Sequence, residues 1–129
     1  IILHISGAAL VGGICLPTLH GYLVGMAARV RVADGSLVDL VVRLSRSTSA
    51  TSINEAVQQA AESTLQGIVE YNEASVVSSD VVGNPHSSIF DALLTQSSED
   101  GYARVVSWYD NEWGYSNRCV DLIGRLAAL

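Results

Sequence analysis

The chain has 129 residues, is 49% hydrophobic and carries a net charge of −6 at pH 7, with a pI near 4.8 and a mean hydropathy of +0.32. That length holds one hydrophobic core and reads as a single domain, 1–129. The acidic balance excludes a nucleic-acid groove, and no apolar run is long enough for a membrane span.

The apolar surplus points to a partner or to self-association. All seven basic residues are arginines, and lysine is absent. Cys15 and Cys119 lie far apart, without CxxC or Cys/His ligand spacing. They read as two buried, reduced thiols of a cytoplasmic protein, with neither a disulfide nor a metal site.

Ile1-Ile2 opens the chain without a methionine, as a fragment or processed chain does. Ser6-Gly7-Ala8-Ala9 reads as a helix start with Ser6 as N-cap, and the helix stops near Cys15, ahead of Leu16-Pro17. A helix start with small residues exposes free N–H groups to an anion, although an isolated Ser-Gly is more often a cap alone. Gly25 to Val30 follows as a strand. Arg29 sits in an apolar setting there, which predicts burial against a carboxylate such as Asp39. Asp34-Gly35 makes a turn into a second strand, Ser36 to Leu44, and the two strands are expected to pair as an antiparallel hairpin.

Ser52-Ile53-Asn54-Glu55 has the form of a capping box, and Ile53, Ala56, Val57, Ala60 and Ala61 keep helical spacing behind it. Strands are predicted at Gly67–Tyr71, at Ser75–Val82, and at Ala92–Thr95 and Ala103–Tyr109 across a turn at Ser97–Gly101. Ser78, Asp80 and His86 lack a nucleophile-elbow motif, so a hydrolase triad is rejected. The stretch Ser107-Trp108-Tyr109-Asp110-Asn111-Glu112-Trp113-Gly114-Tyr115-Ser116-Asn117-Arg118 holds both tryptophans. It reads as a strand ending in a polar turn that starts the last helix, with Ser116 able to cap. That helix, about Tyr115 to Ala128, is expected to bury Val120, Ile123 and Leu126 on one face, and Arg125 suits its C-terminal dipole. Short turns between adjacent strands predict an α+β domain: a largely antiparallel sheet with about three helices packed on one face.

WYDNEWGYSNR followed by VDL closely resembles the last strand and C-terminal helix of phosphorylating glyceraldehyde-3-phosphate dehydrogenase. The Ser6-Gly7-Ala8-Ala9 segment, the GMA-RV strand and the SSD…HSSIFD block resemble the same family in register, from Ile2 to about Ile123. The resemblance implies an NAD-dependent oxidoreductase of glycolysis. It implies a phosphate site formed by Ser6, Gly7 and Arg29, and nicotinamide contacts from Asn111 and Tyr115. It also implies a homo-oligomer, expected to assemble through the sheet.

The nucleotide-binding domain, the family's S-C-T-T-N segment with its nucleophilic cysteine, and the activating histidine have no counterpart among these residues. Cys15, His20 and Cys119 fall at ordinary positions, so no catalytic residue is assigned and the chain is expected to be inactive alone. Departures at Leu3, His4, Ile5, Leu10, Tyr22 and Ala28 and at Arg31-Val32-Ala33 fit a truncated or redesigned domain. The alternative function is a stand-alone, non-catalytic α+β scaffold or self-assembly module.

Overall fold

The computed structural model describes the backbone of residues 1–129 and the side chains of all but residues 9 and 10. It divides into two compact units, Ile1–Ala33 and Asp34–Leu129.

In the first unit, β1 (Ile2–Ile5) and β2 (Met26–Arg29) form a two-stranded antiparallel sheet. Ile5 lies opposite Met26 and Ile2 opposite Arg29. Between them run α1 (Ala8–Cys15) and a 3-10 turn at Pro17–Leu19. Gly13 is buried on α1 because the His20 backbone passes close by; a Cβ there would lie 3.3 Å from the His20 Cα. Cys15 is exposed and Cys119 half-buried, so neither thiol occupies the core position expected of it.

The second unit is built on a four-stranded sheet in the order β3 (Ser36–Arg43), β6 (Tyr102–Tyr109), β5 (Ser88–Ser97), β4 (Val69–Asn72). All its pairs are antiparallel except β4 with β5. The expected hairpin of Gly25–Val30 with Ser36–Leu44 does not form: β2 pairs with β1, and β3 pairs with β6. The turn itself is real, with Gly35 at a φ of +86°. Hydrophobic alternation identifies both strands, but it carries no information about which neighbour each one takes.

The core lies where β5 and β6 meet: Val81, Ile89, Phe90, Ala92, Ala103 and Val106 are all buried. The register between these strands slips between Asp91 and Gln96. Asp91 holds the irregularity, its Oδ1 accepting the Leu93 N–H at 3.2 Å and its Oδ2 the Trp108 indole N–H at 2.9 Å. A carboxylate buried to 3% exposure is thereby satisfied.

α2 (Ala50–Ala61) packs on β4 and β5. Its half-buried residues Ile53, Asn54, Val57, Ala60 and Ala61 recur at helical spacing. The capping box expected at Ser52 is displaced by one turn. Ser49 is the N-cap, its Oγ accepting the Ser52 N–H at 3.1 Å, so Ser52 to Glu55 lie inside the helix. The strand expected over Ser75–Val82 is instead a 3-10 turn, Ser78–Val81. Asp80 bends back to accept the Val77 N–H at 2.8 Å, which closes the chain on itself and denies it a strand partner.

α3 (Trp113–Ala127) is held over its first turns. Gly114 is buried against the turn at His86, where a Cβ would lie 2.6 Å from the His86 carbonyl oxygen. Arg118 donates to the Gly67 carbonyl at 2.8 Å and pairs with Asp121 at 2.7 Å. Beyond that point the expected burial fails: Val120, Ile123 and Leu126 are 67%, 66% and 59% exposed. The three helices and the mixed, mainly antiparallel sheet make an α+β fold, as the sequence predicts.

Candidate functional site

At the end of β6 the chain turns through Asp110, Asn111 and Glu112 into α3. Asp110 is 5% exposed. Its Oδ2 accepts the Gly83 N–H at 2.8 Å, and its Oδ1 accepts the N–H groups of Glu112 at 3.0 Å and Trp113 at 2.6 Å. The Gly83 amide, joined by those of Trp113 and Glu112, holds the Asp110 carboxyl below the usual carboxylate range. The charge also sits at the start of a helix, where the dipole favours it. Asp110 therefore satisfies the first amide of α3, that of Trp113, from two residues ahead of the N-cap Glu112. Ser116, the expected cap, lies inside the helix and donates its hydroxyl to the Glu112 carbonyl.

The adjacent turn locks this corner in place. Asp34 Oδ1 accepts the N–H of Gly35 at 2.6 Å and that of Asn111 at 3.1 Å. Ser36 donates its hydroxyl to Asn111 Oδ1. Among the described residues this leaves the Asn111 Nδ2 group without a protein partner, on an exposed side chain. Tyr115, in the first turn of α3, is 74% exposed, and the Cys119 side chain one turn further on raises its phenol above the ordinary value. The corner thus presents an oriented carboxamide and an exposed aromatic ring on a backbone fixed by two aspartates. Carboxylate oxygens of Asp34, Asp110 and Glu112 lie within 4.8 Å of one another. Those of Asp34 and Asp110 already serve main-chain donors.

Further along the same unit, His86 sits between Asn84 Oδ1 at 2.8 Å and Glu70 Oε2 at 3.2 Å, and Asn84 donates to Glu70 at 2.8 Å. This cluster ties the loop before β5 to β4.

In the first unit, Ser6 Oγ accepts the Ala8 N–H at 3.1 Å, but the N-cap of α1 is Gly7, one residue later than expected. Gly7 has open space where a Cβ would be. Arg29 is exposed rather than buried, and its supposed partner Asp39 is held by Arg104 at 2.7 Å. Strand alternation sets Arg29, across from Ile2, on the same face as His4 and, one step beyond β1, Ser6. Ile2 and Ser6 are four residues apart, about 13 Å along the strand, so the strand pairing does not bring Arg29 and Ser6 together. Cys15 closes α1 at its C-terminal end and is exposed. Among the described residues no hydrogen bond joins Cys15 to His20.

Residues 1–111 match the family model described as glyceraldehyde 3-phosphate dehydrogenase, C-terminal domain. The chain belongs to that family. Glyceraldehyde-3-phosphate dehydrogenase of Mycobacterium tuberculosis is 54% identical over 118 residues, covering 92% of this chain and 34% of the relative. The Mycobacterium leprae protein is 53% identical over 119 residues, covering 92% and 35%. Glyceraldehyde-3-phosphate dehydrogenase 2 of Danio rerio is 52% identical over 118 residues, with the same coverage. The chain thus spans about a third of the length of the curated relatives it matches.

Within this C-terminal-domain family fold, Ser6 and Gly7 stand at the start of α1, Arg29 at the end of β2, Asn111 in the capped corner and Tyr115 in the first turn of α3. The family model ends at Asn111, so Tyr115 lies beyond it. Sequence reasoning missed Asp34, Ser36 and Asp110, which fix the Asn111 backbone and side chain. The signal was present: an aspartate two and three residues before helical N–H groups is a capping pattern.

Proposed function

We propose that the chain is a segment of an NAD-dependent, phosphorylating glyceraldehyde-3-phosphate dehydrogenase of the cytoplasm. In this reading it supplies phosphate ligands Ser6, Gly7 and Arg29 and nicotinamide contacts Asn111 and Tyr115, as part of a single larger catalytic domain. The observation that carries the reading is Asn111, held by Asp34 and Ser36 so that its carboxamide is oriented toward solvent. Such an amide is complementary to the carboxamide of nicotinamide, and an exposed tyrosine beside it offers a ring to pack against another ring. Ser6, Gly7 and Arg29 are of the kinds, a hydroxyl, a backbone amide and a guanidinium, that bind a phosphate dianion.

The same reading assigns no catalytic nucleophile within this segment: Cys15 lies at the end of α1 and Cys119 inside α3, neither in the family's nucleophile segment. The purified chain with glyceraldehyde-3-phosphate, NAD and phosphate is expected to form no NADH. Phosphorus NMR line broadening of inorganic phosphate should be weak and should vanish in Arg29→Ala. Turnover that disappears in Cys15→Ser or Cys119→Ser would reveal a nucleophile and overturn the assignment. The apolar residues left exposed on β3 and α3 favour a second role, homo-oligomerisation through the sheet.

A further inference from the structure

We propose that Ser36 is a positioning residue that sets the polarity of Asn111. Its hydroxyl holds the amide oxygen, so the Nδ2 hydrogens are the end turned to the cofactor, and the carbonyl oxygen of the nicotinamide is the acceptor they meet. With Asn111 read as a nicotinamide contact, on which this rests, Ser36 decides which atom of that side chain makes it.

A side-chain carboxamide has a donating and an accepting end of nearly equal size, and a half-turn about its last bond exchanges them. On an unanchored asparagine nothing chooses between the two. Asn111 is anchored at two points: Asp34 Oδ1 accepts its backbone N–H at 3.1 Å, and the Ser36 hydroxyl donates to its Oδ1. The first bond places the residue, and the second orients the amide.

Both anchors come from one turn. β3 and β6 pair with Ser36 opposite Tyr109, a register that sets Asp34 opposite Asn111 when carried past the strand ends. Asp34 Oδ1 also accepts the Gly35 N–H at 2.6 Å. Gly35 lies so close to Ser78 that a Cβ would overlap the Ser78 carbonyl, which leaves the turn little room to follow a displaced Asn111. Every one of these contacts lies within Asp34–Leu129 and holds whatever else meets the corner.

With Oδ1 occupied, Asn111 meets a ligand as a donor. Of the two ends of a nicotinamide carboxamide, only the carbonyl oxygen accepts. A pyridinium that keeps the ring carbonyl and lacks the amino group should therefore satisfy Asn111 as well as nicotinamide does.

The test uses the full, isotope-labelled chain and side-chain amide NMR, with the backbone amide spectrum confirming the fold of each variant. In Ser36→Ala the Asn111 Nδ2 hydrogens should gain the mobility of an unanchored side chain, and Ser36→Thr, which keeps the hydroxyl, should restore their order. Millimolar NAD should shift the Asn111 Nδ2 resonance. Its apparent Kd should weaken about fivefold in Ser36→Ala, the worth of one neutral hydrogen bond, and recover in Ser36→Thr. The acetylpyridine analogue of NAD, which has the carbonyl but no amino group, should match NAD in affinity and in its sensitivity to Ser36→Ala. An Asn111 amide as ordered in Ser36→Ala as in wild type, or an analogue weaker than NAD and indifferent to Ser36→Ala, would overturn the role of Ser36 while leaving the nicotinamide contact intact. If NAD leaves the Asn111 resonance unmoved, both fall.

Discussion

Asp110 is a buried carboxylate that three main-chain N–H groups keep ionised. Because its pKa is lowered in the fold, its contribution to stability is fully present above the ordinary carboxylate pKa. It fades as pH falls through the lower folded value. Replacing Asp110 by Asn removes the charge and points an amide donor at donors. Urea titration at pH 7 should show a loss of about 1–3 kcal/mol, the usual cost of buried groups left unpaired. The difference between wild type and Asp110→Asn should narrow as the buffer is taken toward pH 2. Gly114 is constrained by space rather than charge: Gly114→Ala sets a methyl against the His86 carbonyl. It should lower the thermal midpoint, at a cost of about 1–3 kcal/mol, typical of overpacking. These two residues set where α3 begins. Asn111 was legible from the family string; the residues that orient it were not, because Asp34 and Ser36 come near it only through pairing between distant strands.

At the scale of elements, most of the helices and strands follow from spacing alone, and the misreadings share one cause. Ser52 and Ser49 both suit a cap, and the helix starts at the earlier one because the backbone continues in helical form three residues upstream. Ser49→Ala should therefore cost about 1 kcal/mol while Ser52→Ala costs little, as thermal unfolding of the two variants will show. Ser75–Val82 carries strand-like valines, yet Asp80 satisfies the local amide of Val77 and no neighbour strand comes alongside. Propensity names the conformations a segment tolerates, and tertiary pairing chooses among them. α3 makes the same point from the other side. Its apolar stripe is where the period put it, but periodicity identifies the face that seeks burial and not whether a partner lies in the same chain.

For the molecule as a whole, the α+β class was legible from strand-rich spacing with short turns, whereas the sheet order and the parallel β4–β5 pair were not. The surface combines a net charge of −6 with exposed leucines and valines on β3 and α3. Charge repulsion is what opposes association of those apolar patches, so solubility should pass through a minimum near the pI of 4.8. Static light scattering across pH 4 to 8 will reveal it, and added salt at pH 7 should move the protein toward the same behaviour by screening.

The strand order β3-β6-β5-β4 also governs how this unit comes into being. On a ribosome β3 emerges first, and its one partner within the unit emerges only after α2, β4 and β5 have been made. Until then a valine- and leucine-rich segment waits without a mate, while α2, β4 and β5 can already associate. Non-local pairings of this kind form slowly and leave strands exposed to other nascent chains. Completion of β6 is thus the step that commits the sheet, and chains interrupted before Tyr102 should be captured by chaperones while those extended past Tyr109 are released.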